Sequence, residues 1–300
     1  MSGNKVFLTG ATGLVGTSLT HALLSNGFHL TATSRVEKAN TDRIHWVKNN
    51  FKDLDLNLRK YLANIDIIIH NGAAINNGKT IEEIDELNFV NIEFTKKLLN
   101  AASEFDIKKI IFTSSFSLIQ KPLPELITET TKVEAGTPYS KSKYIAEELL
   151  HEHAQKYNRN YSICRISSPV SFDVDLMPDT VVKRWISQSK AKQSLQIYGK
   201  GQRRQDFVSV MDIAQAYIKC ITNLNASGTF NIASGSTISM TELAMIISNH
   251  FGNDYFYGNQ DVDENDKWNI SIEKAKQQLG YSPKYSSAEL ISTLLNNLNS

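Results

Sequence analysis

Tyr139 and Lys143 stand four residues apart, directly behind Thr137-Pro138. Threonine caps helices well and proline suits a first helical turn, so both side chains should share one face at the start of a helix. An ammonium beside a phenol favours the phenolate and lowers the tyrosine's pKa. Such a tyrosine moves a proton to or from a sugar or alcohol hydroxyl near neutral pH. Of the eleven tyrosines only Tyr139 has a lysine four residues on; the plain alternative is an accidental pair on a surface helix. Ser114 and Ser115 follow the apolar run Ile110-Ile111-Phe112. A hydroxyl at that strand end could bond a substrate oxygen beside Tyr139, although serines also simply end strands.

A second constellation begins the chain. The run Val6–Leu8 leads into Thr9-Gly10-Ala11-Thr12-Gly13-Leu14-Val15-Gly16 and an amphipathic stretch to Ser25. Strand, glycine turn and helix is the arrangement that binds a dinucleotide. Gly10 allows the sharp turn, Gly13 lets a pyrophosphate approach the backbone, and Gly16 lets helix and strand pack closely. The helix's free N–H groups and positive end would face the phosphates. The spacing is G-x-x-G-x-x-G rather than G-x-G-x-x-G.

The elements that must position these residues alternate in type. Strands are expected at Val6–Leu8, Leu30–Thr33, Ile44–Val47, Ile65–His70, Ile110–Thr113 and Ser162–Arg165, and later at Phe207–Val210 and Thr229–Ile232. Helices are expected at Leu14–Ser25, Leu54–Ala63, Ile81–Ser103, Tyr139–Tyr157, Val181–Lys190 and Met211–Ile221. Continuous apolar runs such as Ile67-Ile68-Ile69 suit strands covered on both faces. The alternation predicts an α/β fold, a Rossmann-like doubly wound parallel sheet of about seven strands with ligands at the strands' carboxyl ends. Beyond Arg165 the pattern loosens. Residues 1–166, with 206–233 returning to the sheet, read as a dinucleotide-binding domain; 167–205 and 234–300 read as an interleaved, smaller substrate lobe. Ser239–Glu242 and Ser286–Glu289 are capping boxes that open helices in it.

Composition narrows the function. The chain has 300 residues, 41% of them hydrophobic, and a net charge of +1. That suits one large α/β unit and gives no electrostatic case for nucleic acid or an acidic membrane. Two cysteines, Cys164 and Cys220, make no disulfide framework and fit a reducing cytosol. No apolar run is long enough to span a bilayer. No Cys/His/Asp cluster has metal-ligand spacing, so no metal is expected.

The segments TGATGLVG, IDIIIHNGAA, IIFTSS and PYSKSK, together with GKGQRRQDFVSVMDIAQA, GTFNIASGSTISMTEL and IEKAKQQLGYSP, resemble the extended short-chain dehydrogenase/reductases over nearly the whole chain. The nearest branch is the NAD-dependent epimerase/dehydratase group acting on nucleotide sugars. The resemblance implies that Gly10, Thr12, Gly13, Leu14, Val15 and Gly16 hold the cofactor pyrophosphate. It implies adenine contacts at Asp53 and Leu54, ribose and nicotinamide contacts at Gly72, Ala73 and Ala74, a family asparagine at Asn91, and passage past the nicotinamide at Ser167 and Ser168. Ser115 matches the catalytic Ser/Thr, Tyr139 the acid/base, and Lys143 the residue that holds the nicotinamide ribose and tunes Tyr139. His70 reads as structural.

Departures from the family pattern bear on specificity. The aspartate that ends the second strand in NAD-type members is Ser34 here, followed by Arg35. That removes repulsion of a 2′-phosphate and offers it a guanidinium, which favours NADP(H) over NAD(H). The Asp-Glu pair that follows the catalytic residue in dehydratases is Phe116-Ser117 here, so dehydration is not expected. The arginine that binds a substrate phosphate is Gln205, with Lys200, Arg203 and Arg204 as alternative anion contacts. Ser115, Phe116 and Ser117 complete the expected substrate set. Trp185 and Trp268 could stack on a base or sugar, or simply pack between lobes.

The resulting expectation is hydride transfer at a hydroxyl or keto carbon of a nucleotide-activated sugar, as a keto-sugar reductase or C4 epimerase. Alternatives are NADPH-dependent reduction of a small non-sugar ketone or aldehyde, and a non-catalytic dinucleotide sensor. The resemblance also implies a homodimer through Ile81–Ser103 and the Tyr139 helix. A cytoplasmic location is expected.

Overall fold

The computed structural model describes residues 4–48, 51, 57–119, 121–258, 260 and 263–298. In order, its first half runs β1 (Lys5–Thr9), α1 (Leu14–Ser25), β2 (His29–Ser34), β3 (Ile44–Lys48), α2 (Leu58–Leu62), β4 (Ile67–His70), α3 (Ile81–Leu87), α4 (Phe94–Ala102), β5 (Lys109–Ser115), α5 (Pro138–Tyr157) and β6 (Asn160–Ile166). The second half runs β7 (Ser168–Val170), α6 (Val181–Lys190), β8 (Leu195–Tyr198), β9 (Arg204–Gln205), β10 (Phe207–Ser209), α7 (Val210–Thr222) and β11 (Gly228–Ile232). It ends with β12 (Ile238–Ser239), α8 (Met240–Phe251), β13 (Tyr255–Gly258), α9 (Glu273–Leu279) and α10 (Ser287–Asn297).

Successive strand side chains point to opposite faces, and here both faces are buried. Val6 and Leu8 of β1 enter a core with Leu19 and Leu23 of α1. Phe7 between them enters a second core with Phe94 and Leu98 of α4 and Leu150 of α5. Ile67 and Ile69 against Ile68, and Ile111 against Ile110 and Phe112, divide in the same way. This is why these strands read as unbroken apolar runs.

Seven parallel strands form the main sheet in the order β11-β6-β5-β4-β1-β2-β3. The chain runs out to β3 and returns to β4 on the other side of β1. The carboxyl ends of β1 and β4 therefore flank the switch point, where ligands bind in open α/β sheets. A third core, with Val182, Trp185, Ile186, Ile197, Phe207, Leu243, Leu290 and Leu294, organises the lobe around α6, α8 and α10. Trp185 is buried in that core. Among the described residues no helix is long and apolar enough to cross a membrane.

Two expectations are corrected. The helix over Ile81–Ser103 is three pieces: α3, a π-helical stretch at Asn88–Glu93, and α4. Such wide turns occur at functional sites, and this one carries Asn91, whose side chain is buried. The return of 206–233 to the main sheet is made by β11 alone. β10 pairs with β7 in a two-stranded ribbon that bridges the two cores, Phe207 entering the lobe core and Val208 the sheet core.

Candidate active site

The glycine turn closes at the end of β1. Gly10 has a φ of +67°, and its oxygen accepts the Gly13 N–H at 3.2 Å. A Cβ on Gly10 would lie 2.6 Å from the Gly72 Cα, and one on Gly16 would lie 1.9 Å from the Gly10 oxygen, so packing of β1, β4 and α1 forbids both. Gly13 differs. A Cβ there would meet only the Gly10 oxygen, at an ordinary 3.5 Å. The protein's own packing does not require a bare backbone at Gly13, whereas a close-approaching pyrophosphate does. Gly13 is also the N-cap of α1 and supplies no side-chain cap, and the helix has no acid in its first turn. The first N–H groups of α1 and its positive end are thus open to an anion, with Thr12 exposed beside them, Leu14 half-buried and Val15 turned into the core.

Ser115, Tyr139 and Lys143 meet beyond β5. Thr137 and Ser140 form a capping box that starts α5 with Pro138 in its first turn, which fixes the entry of Tyr139. The Ser115 Oγ accepts the Ser117 N–H at 3.1 Å, leaving its proton to donate outward. It bonds toward the Tyr139 phenol. Burial pushes that phenol up to about 12, and the Ser115 bond offsets only part of the rise. This corrects the expectation that Lys143 depresses Tyr139. Lys143 is itself buried, which lowers it to about 7 against a raising influence from Glu147. The Lys143 ammonium lies 4.1 Å from the centre of the Phe112 ring and makes no hydrogen bond to a described group, so its donors are available to a ligand. Ser114, facing the other side of β5, has a buried hydroxyl without a partner among the described groups.

Hydrogen bonds that the sequence did not reveal tie this corner to the sheet. The Asn91 Oδ1 accepts the Ala74 N–H at 2.8 Å, and its Nδ2 donates to the Ala74 oxygen at 3.0 Å and to the Ser142 Oγ at 2.9 Å. Ser142 in turn donates to the Tyr139 carbonyl at 2.8 Å. Asn91 therefore sets the Gly72–Ala74 segment against the start of α5. His70 accepts from Thr9 Oγ1 through Nδ1 at 2.8 Å and donates to Thr95 Oγ1 through Nε2 at 2.9 Å, since each hydroxyl's other bond fixes its direction. Burial first, and then Lys143, push His70 down to about 3, so it stays neutral. Gly72 donates to Thr9 Oγ1 at 3.0 Å, and Ala73 is half-exposed over the crevice.

A cleft of about 180 Å³ opens between the sheet and the lobe, lined by Ser115, Phe116, Ser117, Ser167, Ser168, Gln205, Asp206 and Trp268 among others. Phe116 is buried and packs into the core, while Ser117 is exposed. Gln205 donates to the Ser168 Oγ at 2.6 Å, and Ser167 donates to Asp206 at 2.6 Å. Asp206 also accepts from Ser234 and Ser236, and burial raises its carboxyl. The anion contacts expected in the lobe lie around this cleft rather than within it. Arg204 donates to the Thr237 Oγ1 and carbonyl at 2.9 and 2.7 Å and pairs with Glu242 at 3.2 Å. Arg203 pairs with Asp263 at 3.9 Å, and the Lys200 side chain is exposed. At the adenosine end, Ser34 is buried and accepts the Val36 N–H at 3.2 Å, while Arg35 is exposed. Asp53 and Leu54 lie outside the described residues. A wider depression of about 360 Å³ sits at the amino ends of β1–β3, across the sheet from all of this chemistry.

A Rossmann-type sheet with an open helix terminus at its switch point and a Ser-Tyr-Lys set at the neighbouring strand end defines a nicotinamide-dinucleotide-dependent enzyme. The chain belongs to the NAD dependent epimerase/dehydratase family, whose pattern matches residues 6–233. A UDP-glucose 4-epimerase of Halalkalibacterium halodurans is 24% identical over 307 aligned positions, covering 95% of this chain and 92% of its own. The solved UDP-glucuronic acid 4-epimerase of Bacillus cereus, in complex with UDP-glucuronic acid and NAD, superimposes with a TM-score of 0.86 at 22% identity, covering 98% of this chain and 99% of the other. The UDP-glucose 4-epimerase of Thermotoga maritima with UDP-glucose gives 0.85 at 20% identity, covering 98% of each. At these identities the solved structures establish the shared fold.

Proposed function

We propose that the chain epimerises C4 of a nucleotide-activated sugar through a transient ketone. The observation that carries the proposal is the convergence of Ser115, which lines the cleft and lowers the Tyr139 phenol, with Lys143 one turn along α5, whose amine lies over the Phe112 ring and makes no hydrogen bond to a described group. The near full-length likeness to UDP-glucose 4-epimerases supports the sugar class and the position.

The residues fit a nicotinamide dinucleotide. Bare Gly13 and the uncapped start of α1 would receive the pyrophosphate; Tyr139 and Lys143 would hold the nicotinamide ribose; Gly72, Ala73, Ala74, Ser167 and Ser168 would flank the ring end. A bound nicotinamide would supply the hydride acceptor and donor for the sugar carbon. The chain's own groups do the rest. Ser115 donates to the substrate oxygen and fixes it beside Tyr139. The Tyr139 Oη takes or gives the hydroxyl proton. Trp268, Ile166 and Ile270 give the cleft an apolar wall.

One observation favours a second reading. No carboxylate ends β2, and the next residue, Arg35, is exposed and offers a guanidinium to a 2′-phosphate. That combination supports NADP(H) and, with it, reduction of a keto-sugar by a cofactor that comes and goes. Purified protein distinguishes the two. Tightly held NAD that does not exchange supports epimerisation. Exchangeable sites that prefer NADPH, with the preference lost in Arg35→Ala, support the reductase. Protein that binds neither cofactor overturns both.

Exposed Ile81, Ile84, Tyr144 and Ile145 on α3 and α5 support a homodimer through that face.

A further inference from the structure

We propose that Asn71 is a positioning residue for the dinucleotide turn, holding the Gly10 carbonyl through a file of hydroxyls that ends at Tyr217 on α7. The inference rests on the reading of Gly10–Gly16 as the dinucleotide site. Asn71 is the first residue past β4, at the switch point. Its Nδ2 donates to the Gly10 oxygen at 3.1 Å, and its Oδ1 accepts from the Thr113 Oγ1 at 3.0 Å. Thr113 shares a 2.7 Å hydrogen bond with the Tyr217 Oη.

The directions in this file are determined. A backbone carbonyl only accepts, so the amide nitrogen must face Gly10 and the amide oxygen must face Thr113. Thr113 then spends its one proton on Asn71, and Tyr217 must donate to Thr113. Tyr217 and Thr113 are buried, so water does not readily replace either bond.

The position of the Gly10 carbonyl matters because it closes the turn. It accepts the Gly13 N–H as well as the Asn71 amide, in a backbone with a φ of +67°. The Gly10 N–H is held separately, by the Thr33 Oγ1 on β2 at 3.1 Å. One peptide on each side of Gly10 is therefore gripped by a neighbouring strand or its end. Rotation of the Gly10–Ala11 peptide would release Gly13 and swing the first N–H groups of α1 off the pyrophosphate. Neither Thr113 nor Tyr217 lines the cleft, yet both should be felt at the cofactor.

The test uses the full chain stripped of bound nucleotide. Kd for NAD and for NADPH is measured by fluorescence titration, and Tm is measured alongside. Asn71→Asp keeps the shape but sets an acceptor against an acceptor; Asn71→Leu removes the donor without adding charge. Loss of one hydrogen bond to the turn is expected to weaken the preferred cofactor about tenfold in both, and about three- to fivefold in Thr113→Val. Ile111→Val trims the same face of β5 two residues away, in the core that also holds Tyr217 but without a hydrogen-bonding group in the file, and serves as the structural control. It should lower Tm while leaving Kd within about twofold. Asn71→Leu and Thr113→Val binding as tightly as wild type would overturn the inference, as would Ile111→Val weakening the cofactor as much as Thr113→Val. A wild-type chain that binds neither nucleotide is a different result: it overturns the dinucleotide reading itself and this inference with it.

Discussion

Glu147 and Arg165 form a buried two-pronged pair, Oε1 to Nε at 3.0 Å and Oε2 to Nη2 at 2.7 Å, one turn of α5 beyond Lys143. The pair satisfies two charges that burial would otherwise make costly, and the Glu147 charge also raises Lys143 against the lowering effect of its own burial. Glu147→Gln should leave Arg165 buried and unpaired, costing about 3–5 kcal/mol. Glu147→Gln combined with Arg165→Met should recover most of that loss. Urea denaturation of the two variants and wild type measures it. A single variant within about 1 kcal/mol of wild type would show that the pair is not isolated from solvent as the geometry requires.

Tyr139 and Ser115 define a kinetic expectation. Tyr139→Phe removes the proton carrier and should lower turnover by about 10²–10⁴-fold while cofactor binding persists. An unaffected rate would show that Tyr139 is not the proton carrier. Ser115→Ala removes the one influence that lowers the Tyr139 phenol, which burial already pushes up to about 12. Sugar oxidation needs the phenolate, so its rate rises with pH through the tyrosine pKa. In Ser115→Ala that limb should move to higher pH. A limb that stays in place or moves down, measured across the pH–rate profile, would separate Ser115 from Tyr139.

Much of this site was legible because its signals are local. Gly10, Gly13 and Gly16 lie within one turn, Tyr139 and Lys143 within one helical repeat, and Thr137 announces the helix that carries them. What stayed hidden depends on elements distant in sequence. Glu147 and Arg165 meet only because α5 packs over β6. Asn91 faces inward because of a wide turn that no 3.6-residue pattern encodes. Tyr139 reads as depressed by Lys143 from spacing alone, since spacing carries no information on burial, and burial reverses the direction. Phe207–Ser209 looks like a sheet strand by composition, but it pairs with β7 and bridges the two cores.

His70 gives the fold a defined acid response. Its native pKa is about 3 against an ordinary value of 6.5, so between those values the unfolded chain holds a proton that the folded chain does not. Stability should be fully present above about pH 6.5 and fall as pH drops toward 3, by about 1.4 kcal/mol per pH unit for this one proton. His153, pushed down to about 4 by burial and then by Arg159 and Lys156, adds a second loss over the upper part of that window. His70→Gln can still bridge Thr9 and Thr95 but does not titrate. Urea unfolding at intervals from pH 6.5 to 4 should give a slope shallower by about one proton in the variant. Equal slopes would mean that His70 is protonated in the folded chain.

The outer face of α3 and α5 should govern assembly. Ile81 is 75% exposed and Ile145 41% exposed, and Ile84 and Tyr144 on the same two helices are exposed as well, apolar side chains that water solvates poorly. Two copies related by a twofold axis would each cover the other's side chains with the same residues. The Ser115, Tyr139 and Lys143 of each copy come from one chain, so the site does not need its neighbour to be complete. Wild type should sediment as a dimer. Ile81→Lys with Ile145→Lys should sediment as a monomer, because an ammonium cannot be buried there without a partner. Its turnover should be measurable, with a lower Tm that no longer rises with protein concentration. A monomeric wild type, or a lysine variant that still dimerises, would move the interface elsewhere.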